Sequence, residues 1–211
     1  MRVFSRFFSI LLLALTWGCA QAGVERFNLG TEYKTVRNPQ AATDLKRVSV
    51  EEFFWYGCPH CFHAEGNMKA WEAKKAADID FLRMPNSLGR PEGEVHARAF
   101  YVAQTLKVFD KIHSPLFAAI HEQRQTINTV DAMKAFFNQK AGIAPAKYEE
   151  TAKSFAVDKA FKAGELRAMQ YGIASVPTIV VGGKYTCMAT EPNVGEIINF
   201  LVAKVRAERK R

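Results

Sequence analysis

The chain has 211 residues, 48% hydrophobic and 24% charged, with a formal net charge of +8 at pH 7. That size can bury a substantial core and suggests one compact unit or two intimately joined domains. The basic excess is spread along the chain and no nucleic-acid motif accompanies it, so a nucleic-acid role is not expected; the cluster Lys204 to Arg211 reads as a solvated helix end.

Residues 1–22 read as a secretory signal peptide. Arg2 and Arg6 precede an apolar run from Phe7 to Leu15, and Ala20-Gln21-Ala22 is a small-x-small cleavage site. The run is too short to span a bilayer comfortably. A lipid anchor at Cys19 is the alternative, but Thr16 stands where such a site usually has leucine, and Trp17 is bulky. Cleavage after Ala22 removes two basic residues and one of the four cysteines, so the charge falls to +6.

An irregular lead-in follows, with a short strand around Tyr33 to Val36 and a turn at Asn38-Pro39. Val48 to Phe54 is short, β-branched and aromatic, which predicts a buried strand. Two acids interrupt it. Glu51 is expected at an exposed or edge position.

The chemistry lies just beyond this strand, in Gly57-Cys58-Pro59-His60-Cys61. Gly57 permits a turn, and Pro59 suits the first position of a helix predicted to run to about Ala77. Cys58 then stands at the helix N-cap, where unpaired N–H groups and the positive dipole end favour an anion by roughly 0.3–1 kcal/mol. That favours the thiolate, the nucleophilic form of cysteine. Cys61 lies one turn further on the same face. The pair reads as an exposed attacking sulfur and a covered resolving sulfur, with His60 placed to lower the Cys58 pKa further. Because the thiolate belongs to the reduced form, such a disulfide is oxidising. Cys-x-x-Cys is also half of a zinc site, but only Cys187 and scattered histidines are available to complete four ligands. A structural disulfide would more usually close a longer loop.

Ile79 to Met84 predicts the next parallel strand. From Pro85 to about Gly164 the pattern is helical, with Pro115 breaking or starting one segment and Thr129 capping another. Gly172 is a C-cap before the stretch Ile173 to Val181, in which Pro177 stands at the start of a strand. Gly182-Gly183 predicts a hairpin turn into Lys184 to Met188. Asn193 caps a final helix, Val194 to Ala207. Cys187, the odd cysteine of an exported chain, is expected as a buried, inert thiol.

The chain resembles the DsbA family of secreted bacterial thiol:disulfide oxidoreductases. The resemblance rests on Cys-Pro-His-Cys at 58–61, Glu52 six residues earlier, Pro115-Leu116-Phe117, Ser175-Val176-Pro177 and Gly183-Lys184-Tyr185. It covers roughly Glu25 to Lys204. It implies an α/β thioredoxin-like fold with an inserted α-helical domain, divided as residues 23–85, an insertion at 86–164, and 165–211. It implies that Cys58 and Cys61 form the redox-active disulfide, with Pro59 and His60 between them. Glu52 would be a buried acid that takes or relays the Cys61 proton; Arg83 is either its basic partner or an ordinary exposed arginine. A cis Val176–Pro177 bond would hold that loop against Cys58 and leave the Val176 main chain to pair with an extended client. The expected activity is periplasmic protein disulfide oxidation on reduced exported proteins. Reoxidation by a DsbB-like membrane quinone reductase, a monomeric state, and no metal or organic cofactor complete the expectation. The rivals are a reductase or isomerase of the same fold and a non-catalytic peptide-binding chaperone.

Overall fold

A computed structural model describes residues 26–42 and 44–210; the predicted signal peptide and the alternative anchor at Cys19 lie outside the described residues. Among the described residues, five strands form one mixed sheet: β1 Lys34–Thr35, β2 Val48–Phe54, β3 Ile79–Pro85, β4 Thr178–Val181 and β5 Tyr185–Met188, in the order β1-β5-β4-β2-β3. β2 runs parallel to β3 and antiparallel to β4. Gly182 and Gly183, at φ +59° and +67°, make the turn between β4 and β5, a conformation that L side chains resist.

Among the described residues, seven helices cover the sheet: α1 Pro59–Glu72, α2 Pro91–Thr105, α3 Phe109–His121, α4 Val130–Ala141, α5 Pro145–Ala152, α6 Phe155–Tyr171 and α7 Val194–Glu208. Two cores result. Val48, Val50, Ile179 and Val181 pack against Met68 and Trp71 of α1 and Ile197, Ile198 and Leu201 of α7. Phe53, Phe54, Tyr171 and Val180 join a second core with residues of α2, α3, α4 and α6, including Phe100, Leu116, Phe117 and Phe137. The helices α2 to α6 all fall between β3 and β4 in sequence, and α6 is continuous through residue 164.

Four expectations need correction. Glu51 is not exposed: its exposure is 0%. β2 lies inside the sheet with both faces covered, so alternation sends Glu51 toward α6 and Glu52 toward α1. Arg167 takes up the Glu51 charge with Nε and Nη2 at 2.5 and 2.9 Å, and the Tyr171 hydroxyl donates at 3.2 Å. Pro115 neither breaks nor starts α3 but sits inside it. Burial of Ile112, His113, Leu116 and Phe117 on that helix outweighs the lost hydrogen bond. α1 ends at Glu72 rather than near Ala77, because the chain must turn to pair Val48 N with Asp78 O and enter β3. Asn193 stands at the N-cap of α7, but its side chain makes no capping bond.

Candidate active site

β2 ends by delivering Phe54 into the helical core, and Trp55-Tyr56-Gly57 turns the chain into α1. The turn closes with Cys58 N donating to Trp55 O at 3.0 Å. A Cβ on Gly57 would lie 2.4 Å from the Trp55 ring, so the turn accepts only glycine there without rearrangement. Cys58 is the N-cap of α1, in extended conformation at φ −90° and ψ 118°, and Pro59 is in the first turn. Pro59 and His60 are exposed. The attacking sulfur is less open than its expected role suggests: Cys58 is 8% exposed and Cys61 2%. What covers Cys58 is the Val176–Pro177 loop, whose peptide bond is cis and whose Val176 carbonyl lies 3.6 Å from Cys58 Sγ.

The two thiols sit in one electrostatic unit with opposite outcomes. A hydrogen bond from Cys61 to the Cys58 sulfur, helped by the backbone N–H groups of Cys61 and His60 and least by the His60 charge, lowers the Cys58 pKa to about 6 against the cost of burial. The same hydrogen bond, with burial and the nearby Glu52 charge, pushes Cys61 far up. At neutral pH Cys58 is a thiolate and Cys61 a thiol.

Glu52 is 2% exposed and faces the α1 side of the sheet. Burial pushes its pKa up to about 8; Arg83 opposes that shift, while Glu65 and Glu72 add to it. Arg83 is not an ordinary exposed arginine but an ionic neighbour of two acids. Its side chain is only 8% exposed, Nη2 is 2.9 Å from Glu72 and Nε is 3.5 Å from Glu52.

A second polar chain beneath α1 escaped the sequence reading. The Tyr56 hydroxyl is 2.8 Å from His113 Nδ1, and His113 Nε2 is 3.2 Å from Glu65 Oε1. Burial lowers the His113 pKa, so the ring is neutral near pH 7; its Nδ1 then accepts from Tyr56 and its Nε2–H faces Glu65. The available signal was the spacing of Glu65, four residues after Cys61 on the same helix face. His113 gave none, because only the packing of α3 on α1 brings it there.

Val176 N–H makes no hydrogen bond among the described residues, while Thr178 Oγ1 donates to Ser175 O at 2.7 Å and braces the loop. Cys187 lies opposite Ile179 in the β4–β5 pair, 5% exposed, its thiol pushed up to about 12 by burial. No helix among the described residues is long and apolar enough to cross a membrane.

Comparison with known proteins gives a consistent answer. The family model of the DSBA-like thioredoxin domain matches residues 49–194. The thiol:disulfide interchange protein DsbA of Burkholderia cepacia is 32% identical over 205 residues, covering 95% of this chain and 96% of that protein. The protein of the same name from Pseudomonas aeruginosa is 31% identical over 207 residues, covering 96% and 97%. The crystal structure of P. aeruginosa DsbA superposes with a TM-score of 0.79 at 31% identity, covering 88% of this chain and 97% of that one. DsbA from Xylella fastidiosa gives 0.74 at 29%, covering 83% and 96%.

Proposed function

The chain belongs to the DSBA-like thioredoxin family, and from that premise we propose how its residues divide the work of a thiol:disulfide oxidase. It is a thiol:disulfide oxidoreductase of thioredoxin-like fold that passes a disulfide to other proteins. The observation that carries the direction of transfer is the asymmetry of the dithiol, with Cys58 lowered to about 6 and Cys61 raised. A stable thiolate stabilises the reduced form and makes the disulfide a strong donor.

In the oxidised pair, a client thiolate attacks Cys58 Sγ. The Cys58–Cys61 bond breaks, Cys61 leaves with the electron pair, and Glu52, protonated near neutral pH, hands it a proton. A second client thiolate then attacks the client sulfur of the mixed disulfide. Cys58 leaves as the stabilised thiolate, and the client has lost two electrons and gained a disulfide. On reoxidation the Cys61 proton returns to Glu52. Pro59 shapes the first turn of α1, and His60 adds a minor positive contribution at Cys58. The Val176 carbonyl and free N–H offer an edge on which any extended client can pair, and Pro177 fixes that edge over the dithiol.

The clients on this reading are reduced exported proteins in the periplasm, reached through the N-terminal signal peptide, and a DsbB-like membrane quinone reductase restores the disulfide. The protein works as a monomer, with residues 86–164 as a helical insertion in a thioredoxin-like unit formed by 23–85 and 165–211.

The test is catalysed oxidation of a reduced, unfolded ribonuclease, together with the reduction potential of Cys58–Cys61 in glutathione buffers after Cys187→Ser. Oxidation is expected, lost in Cys58→Ser, with a potential well above the roughly −270 mV of thioredoxin. A value at or below thioredoxin's would reverse the direction of transfer. Equal folding assistance by Cys58→Ser would make the protein a chaperone instead.

A further inference from the structure

The cis-proline loop borders a cavity that the redox chemistry does not use. It measures about 540 Å³ and lies between the loop after β3 and the C-terminal end of α6. Arg37, Leu88, Arg90, Glu165, Met169 and Ile173 are among its walls, and Ala174 is at the side nearest the loop.

Two chain connections place it beside the dithiol. Ala174 precedes by two residues Val176, whose carbonyl is 3.6 Å from Cys58 Sγ. Ser175 and Val176 lie in a bend, and two residues of chain reach at most ~7 Å, so this wall of the cavity lies within that distance of the pairing edge. On the other wall, Arg90 lies over the Trp55 ring, 5.5 Å from its centroid, and Trp55 precedes Cys58 by three residues. A client strand paired on Val176 therefore brings the side chain two residues along to this opening.

The charge in the cavity is unbalanced. Arg37 is exposed, and its guanidinium has no hydrogen bond or ion pair among the described residues. Besides the Trp55 ring, Arg90 has Glu92 at 3.9 Å as its one ion-pair partner among the described residues. Glu165 is the sole acid in the wall among the described residues, and both its oxygens are committed to Ser87, at 2.7 Å to N and 3.0 Å to Oγ. That bond also fixes the wall, because Ser87 is wedged against Gly93, where a Cβ would meet the Ser87 carbonyl at 2.2 Å. The apolar part of the lining includes Met169, 67% exposed, and Leu88. Two guanidiniums above an aliphatic surface suit the short stem and charged head of an acidic side chain.

We propose that this cavity is a client subsite that selects an Asp or Glu side chain two residues from the client position paired with Val176. The proposal rests on the oxidase reading and adds a specificity to it.

The experiment compares two-cysteine peptides that differ only in Asp, Asn or Lys two residues before, or two residues after, the first cysteine. The kcat/KM for oxidation by the disulfide form is measured at low salt. Each rate is normalised to the same peptide's uncatalysed reaction with the uncharged hydroxyethyl disulfide, which removes the effect of the neighbouring charge on the thiol itself. In one of the two placements Asp is expected to exceed Asn by about fivefold and Lys to fall below it, with the preference shrinking as salt rises. Arg37→Glu and Arg90→Gln should each reduce the Asp/Asn ratio toward one. Equal normalised rates for all peptides, or a preference for Asp that persists in both variants, would overturn the subsite while leaving the oxidase reading standing. Failure of the unaltered protein to oxidise dithiothreitol or any peptide would remove both.

Discussion

Arg83 reaches Glu72 at 2.9 Å but stops 3.5 Å short of Glu52, and the Glu52 Oε2 atom is left buried without a hydrogen bond. A carboxylate in that position keeps only part of the attraction that would hold it ionised, and burial decides its state. The arrangement keeps Glu52 protonated at neutral pH, the state that the proposed proton transfer to Cys61 requires.

The raised pKa has a consequence for stability. Glu52 titrates near 8 when folded and at about 4.3 in an unfolded chain. Between those pH values the folded protein keeps a proton that the unfolded chain has released, so stability falls as pH rises and the loss is complete above about 8. Glu52→Gln carries no such proton. It should match the parent near pH 4 and exceed it above pH 8 by on the order of 5 kcal/mol. Urea unfolding of the oxidised forms from pH 4 to 9 checks this, since neither active-site thiol then titrates; parallel curves for the two proteins would exclude it.

The dithiol predicts the opposite slope in the reduced protein. Cys58 is lowered to about 6, so its contribution is fully present above the unfolded thiol range and disappears as pH falls through 6. Reduced protein should therefore be more stable than oxidised protein at pH 8, and the advantage should vanish below pH 6. Cys61→Ala removes the largest cause of the low value, and the pH midpoint of Cys58 alkylation should move up by at least one unit. An unmoved midpoint would assign the effect to the helix terminus alone.

Glu51 and Arg167 tie β2 to α6, with Glu51 fully buried and the Arg167 side chain 40% exposed. Arg167→Met leaves the Glu51 carboxylate with Tyr171 alone and should cost about 2–3 kcal/mol; solvent access to Arg167 keeps the cost under that of a fully buried pair. Glu51→Leu combined with Arg167→Met should recover most of that loss. Denaturant midpoints of the single and double variants give the answer, and a double variant no better than the single would rule out the buried charge as the cause.

Cys187 should be chemically silent. Burial pushes its thiol to about 12, and β5 holds it against β4. Dithionitrobenzoate should titrate two thiols in the native reduced protein and three after unfolding. Cys187→Ala should leave the Cys58–Cys61 potential unchanged within error. A third fast-reacting thiol in the native state would contradict this placement.

Much of this molecule was legible in the residues. The strand Val48–Phe54, the cap at Cys58 with Pro59 behind it, the C-cap at Gly172 and the Gly182-Gly183 turn all follow from local chemistry, because torsion preference, capping and β-branching act within a few residues. The Cys-Pro-His-Cys spacing by itself placed two sulfurs on one face of a helix start. Where tertiary packing competed with a local rule, packing prevailed: Pro115 stays helical because its neighbours fill the core, and Glu51 is buried because β2 is flanked on both edges and covered on both faces. The tertiary structure alone also decided which charges meet. Glu52 with Arg83, His113 with Tyr56 and Glu65, and Arg37 with Arg90 across one cavity are separated along the chain, and no periodicity joins them. Local sequence sets the conformation of each segment. The energies of charges depend on the distances and burial that appear only when those segments have packed.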